Sequence, residues 1–452
     1  MFNELGRYTL PPMDAYWGFE ETKFEYWLLV ELAVIDAYVA LGRLHPEGAS
    51  LIRKYAKFDL KRMKELEDKF GHDMIAFTET VRESLVGTPA ERFAFWFHLE
   101  VTSYNIEDPA FILRLCQSTE VVIGAAKNLQ TVLQCRALEC RDMPMIMCTH
   151  GQDAQPDTFG HLLLVYAAEI GRCQLRLQRS LDDDLKEGNI SGAIGRYNEI
   201  DPEVERIALM NLGLVPAKAE TQILQRDRHA ALMSHLSHLT SAICQMCSTF
   251  WIMMHSGIRE LQEPRKKDQR GSSAMPQKRN PILVEQLRGL SRMLRGCAVI
   301  ANENIDTFEG RDISQSLPER LIWPMGFCLT HYAIVKTTGL VGNLVIFEQQ
   351  MRENLEVRTQ GTWASQRVRN SLERLGVEHN AAYEYIKIIA FEAIDQKIPM
   401  ATLLSDETFR VKFGAGSNTA LEILGSEVLN QCFDVYSYLE QGAIALFGEK
   451  LE

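Results

Sequence analysis

FEYWLLVELAVIDAYVALGRL, residues 24–44, carries apolar side chains on nearly every side at helical spacing and holds no glycine or proline until Gly42. Such a run predicts one long helix enclosed by neighbours rather than a strand. The same grammar recurs along the chain. Leu163, Tyr166, Ile170, Cys173 and Leu177 alternate by three and four residues, as do Leu283, Leu287, Leu290, Leu294 and Cys297. Each series draws an apolar stripe along a helix suited to bundle packing. Segments 234–260 and 325–348 are apolar on most sides, and period-two alternation is scarce. The expected fold is all-α, built on a central bundle of long helices. Pro109, after the irregular VTSYNIED, and the polar stretch near 350–360 set expected domain boundaries: 1–109, 110–350 and 351–452. Long stripes of this kind need several partners, which points to a homo-oligomer.

Composition narrows the function. The chain has 452 residues, 46% apolar and 24% charged, enough for a large core. A formal net charge of −12 argues against a general nucleic-acid binder, which needs a basic face. The opening MFNELGRYTLPP lacks the basic and apolar regions of a signal peptide, and no apolar run reaches the ~18 residues of a membrane span. The ten cysteines are scattered, with one C-x-x-C at Cys244 and Cys247 and no second pair to complete a zinc site. Buried thiols in a cytoplasmic protein are expected, with no metal and no cofactor.

Just before the 283–297 stripe stands GSSAMPQKRNP, residues 271–281. Gly271, Ser272 and Ser273 give a closely approachable backbone. Asn280 and Pro281 read as an N-cap and first helical residue, placing free N–H groups and a partial positive charge beside Lys278 and Arg279. An anionic ligand suits that setting, although a solvated basic loop also fits it. Three histidines stand where helical patterns start or stop: His72 in GHDMIAFT, His98 in WFHLEVTS and His150 in CTHGQDAQPDTFG. No H-x-x-x-H or H-x-x-E-H spacing supports metal binding. Gly188, Gly192 and Gly195 in GNISGAIG invite a phosphate-loop reading, but a turn joining helices explains them as well.

GSSAMPQKRNP resembles the signature loop of the fumarase/aspartase superfamily, S-S-x-M-P-x-K-x-N, whose members release fumarate by β-elimination. RYTLPPM, GHDMIAFTETVRESL, THGQDAQPDTFG, ISGAIGRY, TQILQRDRHA, GRDISQSLPER and LNQCFDVYSYL look in order like segments of its adenylosuccinate lyase branch, in purine biosynthesis. The resemblance implies a three-domain all-α subunit, a homotetramer whose active sites are shared between subunits, and a signature loop over 268–282. It implies succinyl-nucleotide substrates, fumarate as product, and no cofactor, membrane or nucleic-acid partner. At matching positions it implies Ser272 as base, His150 as general acid, Glu285 as the carboxylate orienting that acid, and Lys278 and Asn280 as stabilisers of a carboxylate dianion. His72, Asp73 and His98 would line the substrate pocket. Thr102, Ser103, Thr149 and Gln222 would hold the succinyl carboxylates and the base, and Arg7, Tyr8, Arg311, Ser316 and Arg320 would grip a phosphate.

The pattern departs in places. Gly71 replaces an arginine before the first histidine, G-L-T-S-x-D reads EVTSYN with Glu100, Tyr104 and Asn105, and W-H-E-R-D-I-S-H-S-S reads FEGRDISQSL with Glu309, Gly310 and Gln315. These changes bear on which amine leaves. Two further readings therefore stand beside the first: a sibling lyase acting on another N-succinyl compound, and a non-catalytic structural oligomer.

Overall fold

In the computed structural model, which describes residues 3–269 and 271–448, helices dominate and the strands are short. The longest helices are Glu20–Ala40, Ser103–Glu139, Phe159–Arg179, Asp227–Met253, Ile282–Glu303 and Ser316–Gly342. The first carries most of the 24–44 run as one helix with Trp27, Val30, Val34, Ile35 and Tyr38 buried, but it starts at Glu20 and ends at Ala40, leaving 41–44 as a turn. The stripe from Leu163 to Leu177 is buried at every expected position. The stripe after 283 is rotated slightly. Val284, Leu287, Ser291, Leu294, Cys297 and Ala301 are buried, whereas Leu283 and Leu290 are half-buried. The 3.6-residue period turns the inward face past the leucines and onto Ser291.

Contacts divide the chain into two compact units, one of residues 1–129, 170–245 and 286–337, the other of 130–169, 246–285 and 338–452. Pro109, expected to end a domain, lies inside the continuous Ser103–Glu139 helix. In the first unit, Phe24, Phe58, Phe77 and Phe97 pack with Trp27 in an aromatic cluster with ring centroids 5.2–6.2 Å apart. Two of its helices start on side-chain caps of acids: Asp59 accepts from Arg62 N–H, and Asp201 accepts from Glu203 N–H ahead of Pro202.

The second unit contains elements that helical periodicity did not announce. Pro144–Thr149 and Gln152–Thr158 pair antiparallel with a register shift between Met147 and Cys148. Leu261–Gln262 pairs with Val345–Ile346, and Val411–Phe413 with Gly416–Asn418. Short C-terminal helices, including Ser365–Arg374, His379–Gln396 and Ala420–Cys432, enclose a core of Trp363, Leu372, Ile389, Leu404 and Leu424. Among the described residues no helix is long and apolar enough to cross a membrane.

One buried charge group ties the first unit together. Arg226, 1% exposed, reaches Asp108 at 3.0 Å and Glu319 at 2.7 Å. Burial pushes both carboxyls up, Glu319 to about 7, while their charges hold the guanidinium protonated. Arg226→Leu, leaving two buried carboxyls unpaired, should cost about 3–5 kcal/mol, read as a lowered urea midpoint at unchanged slope.

Candidate functional site

The 271–281 segment folds back on itself. A Cβ on Gly271 would lie 2.4 Å from the Lys278 carbonyl oxygen, so glycine is required there by close approach. Ser272 Oγ accepts from the N–H groups of Ala274 and Met275, at 3.3 and 3.2 Å. Arg265 donates to the Gln269 carbonyl at 2.8 Å, and Arg279 donates to Gln262 Oε1 at 2.6 Å. Lys278, Asn280 and Glu285 line one cavity of about 1310 Å³ with Arg265, Arg279 and Trp251.

The helix after this loop does not offer the free donors that Asn280-Pro281 suggested. It begins at Ile282, and Glu263 accepts from Leu283 N–H at 3.2 Å and Val284 N–H at 2.7 Å. Glu263 is 7% exposed, and burial pushes its carboxyl up. An acid twenty residues earlier thus fills the helix start, and Asn280 makes no side-chain cap among the described residues. Glu285 stands off the buried stripe and accepts from Trp251 Nε1 at 3.2 Å; among the described residues no bond joins it to His150.

His150 is exposed at the tip of the 144–158 hairpin. Thr149 pairs with Gln152, leaving His150 and Gly151 as a two-residue turn with φ of 54° and 75°. Tight hairpin turns of the primed types call for such values. Thr149 lines a separate cavity of about 710 Å³.

The remaining candidates lie in the first unit. Asp73 joins Arg320 at 2.8 Å and Lys23 at 3.2 Å beside a cavity of about 690 Å³ that Ser316 also lines. Burial pushes the Asp73 carboxyl up, but the Lys23 and Arg320 charges outweigh it and hold the group below its ordinary value. His72 precedes Asp73 at the helix start. Gly71, where the resemblance calls for arginine, ends the Leu60–Phe70 helix at φ 68°, a left-handed cap that favours glycine. Thr102 N–H is capped by Asn105 Oδ1 at 3.1 Å, with Ser103 opening the helix beside it. Arg311 donates to Gln222 Oε1 at 2.8 Å and lies 4.3 Å over the Tyr104 ring, whose hydroxyl accepts from Gln315 at 3.2 Å. Two of the departures therefore touch each other.

The five residues expected to grip a phosphate are not gathered together among the described residues. Tyr8 packs edge-on against Tyr332 with centroids 5.3 Å apart, a position about 18 Å along the Ser316–Gly342 helix from Arg320 by helical rise; Arg7 is exposed. Gly192 and Gly195 of GNISGAIG lie in a turn, and Gly188 in a short strand paired with Val215–Pro216. A Cβ on Gly195 would meet the Glu220 carbonyl at 2.2 Å, and the Gln222 carbonyl accepts from Asn189 beside it. Sequence reasoning missed Lys23, Glu263 and Glu31, the last joined to His98 at 2.6 Å. The available signal for Glu31 was an acid flanked on both sides by apolar residues, which Asp36 in the same run shares. Among the described residues no cluster of His, Cys, Asp and Glu could hold a metal ion.

A family model described as lyase matches residues 35–296. The chain belongs to the fumarase/aspartase superfamily of lyases. This lyase is 36% identical over 435 residues to an adenylosuccinate lyase of Thermotoga maritima, covering 96% of each chain. It is 35% identical over 434 residues to one of Bacillus subtilis, again covering 96% of each. Its fold is shared by a fumarate lyase from a Mesorhizobium, with a TM-score of 0.86 at 20% identity over 98% of this chain and 99% of that one. A 3-carboxy-cis,cis-muconate lactonizing enzyme from Pseudomonas putida matches at 0.85 and 21% identity, covering 98% and 96%.

Glu263→Ala should cost about 1 kcal/mol as the loss of a helix cap and accelerate hydrogen exchange at the Leu283 and Val284 amides. Protection unchanged at both amides would remove Glu263 from that role.

Proposed function

We propose that this lyase is an adenylosuccinate lyase, splitting succinyl-AMP and the succinylaminoimidazole carboxamide ribotide into fumarate and the purine product. The observation that carries the reading is the match to adenylosuccinate lyases along 96% of both chains at 35–36% identity. Ser272 Oγ, as the alkoxide, takes the proton from the carbon beside a succinyl carboxylate. The freed electron pair is held as a carboxylate dianion, then collapses to the double bond of fumarate as the C–N bond breaks. His150 returns a proton to the leaving nitrogen, and Glu285 orients His150. The Ala274 and Met275 N–H groups on Ser272 Oγ support the first role, because donors aimed at an oxygen favour its anion. With Leu283 and Val284 amides given to Glu263, the dianion falls to Lys278 and Asn280 side chains.

The same reading makes the protein a homotetramer whose sites draw on several subunits. Three observations support that assembly. Among the described residues no hydrogen bond joins Glu285 to His150, the Arg7-Tyr8 pair stands far along its helix partner from Arg320, and Met293, Val299 and Ile300 leave an apolar face of the Ile282–Glu303 helix exposed. A second reading, a sibling lyase for another N-succinyl compound, is favoured by the Gln315–Tyr104 bond beside Arg311.

Loss of succinyl-AMP ultraviolet absorbance on adding the purified protein is the expected result. Inertness toward succinyl-AMP, together with amine addition to fumarate in the reverse direction, would select the sibling reading. Ser272→Ala and His150→Gln should each slow turnover at least about a hundredfold with the assembly intact; near-normal rates would take that residue out of the chemistry. Arg320→Ala should raise KM far more than it lowers kcat, and an unchanged KM would exclude a phosphate grip there.

A further inference from the structure

His98 lies in a short segment held from two helices. Its φ is 63° and that of Glu100 is 59°, a left-handed backbone that is costly for side chains other than glycine. Three anchors hold it. Arg82 donates to the Phe97 carbonyl at 2.8 Å, Glu31 Oε2 accepts the His98 N–H at 3.2 Å, and the Tyr38 hydroxyl donates to the Leu99 carbonyl at 2.8 Å. Glu31 and Tyr38 stand seven residues apart on the Glu20–Ala40 helix, two turns along one face. Glu31 Oε1 then reaches His98 Nδ1 at 2.6 Å. Glu31 is 0% exposed and its one ion-pair partner among the described residues is His98. A carboxylate that accepts from both the His98 N–H and the ring would leave the shared proton on Nδ1. Nε2 makes no hydrogen bond among the described residues, and the side chain is 19% exposed.

We propose that Glu31 is a positioning residue for the lyase reaction: it keeps the His98 proton on Nδ1 and so leaves Nε2 as the ring atom offered to the succinyl substrate. The inference rests on the proposed function, which places His98 in the substrate pocket. A bond of the same length with a purely structural purpose would hold the segment without caring which nitrogen carries the proton. Glu31→Gln separates the two. Its amide has one accepting oxygen for two donors, the His98 N–H and Nδ1–H, so the tautomer is no longer fixed.

The test uses the full chain and a double-mutant cycle. With succinyl-AMP, His98→Gln and Glu31→Gln should each lower kcat about tenfold or more with KM little changed, as wrong-tautomer substitutions do. Glu31→Asp should recover most of the loss, and adding Glu31→Gln to His98→Gln should cost nothing more. Losses that multiply in the double variant, or a Glu31→Gln enzyme at the wild-type rate, would overturn the proposal. Labelling by diethyl pyrocarbonate supplies a readout free of turnover. His98 should react more slowly in Glu31→Gln, or in Glu31→Ala should the first fail to fold, because Nε2 no longer holds a constant lone pair. If the wild type leaves succinyl-AMP untouched, the proposed function falls, while equal His98 labelling in variant and wild type would overturn the role of Glu31 by itself.

Discussion

Arg226 is the hinge on which the first unit turns. Its guanidinium joins Asp108 on the Ser103–Glu139 helix to Glu319 on the Ser316–Gly342 helix, while its own backbone leads into the Asp227–Met253 helix. Asp108 Oδ2 also accepts from Leu224 N–H at 2.7 Å. Three helix starts are thereby fixed together. Each start carries candidate ligand-binding groups: Thr102 and Ser103 before the first, Gln222 before the second, Ser316 and Arg320 around the third. A charge group this deeply buried adds little stability compared with replacing all three members by apolar residues, but losing one member strands the others, so it tolerates only one arrangement of its partners. Geometry is what it secures.

The same economy governs the second unit. Glu263 fills the N-terminus of the Ile282–Glu303 helix from the residue that follows the Leu261–Gln262 strand, so the exit of the Ser272–Lys278 loop is anchored by an internal carboxylate. Arg265 and Arg279 fix the loop from either side through Gln269 and Gln262. The proposed base and cation therefore sit on a segment whose two ends are held and whose middle is exposed. His150 reaches its exposed position through a hairpin turn with two positive φ angles. Both arrangements place the proposed catalytic groups on strained or close-packed backbone carried by regular elements, which is where such strain is tolerated.

The departures from the adenylosuccinate lyase pattern acquire physical reasons. Gly71 stands where a helix must end in a left-handed residue, which an arginine would meet only under strain. Tyr104 and Gln315 bond to each other and give Arg311 an aromatic face. They are two parts of one local solution rather than separate losses. Asn105, in its turn, is spent on capping Thr102.

Sequence alone determined the helical class, because burial at a 3.6-residue period is written directly in where apolar residues recur, and it determined the family, because GSSAMPQKRNP is long and specific. It could not fix partners distant in the chain. The 144–158 hairpin escaped because its alternation is short and interrupted by Pro156, and the buried face after 283 shifted because one serine can face inward where neighbours leave room. Glu263 and Glu31 find their partners twenty and sixty-seven residues away, and only folding sets those distances. Residue types decide which chemistry is available; the tertiary structure decides which oxygen meets which proton, since a hydrogen bond depends on tenths of an ångström that no spacing in sequence encodes.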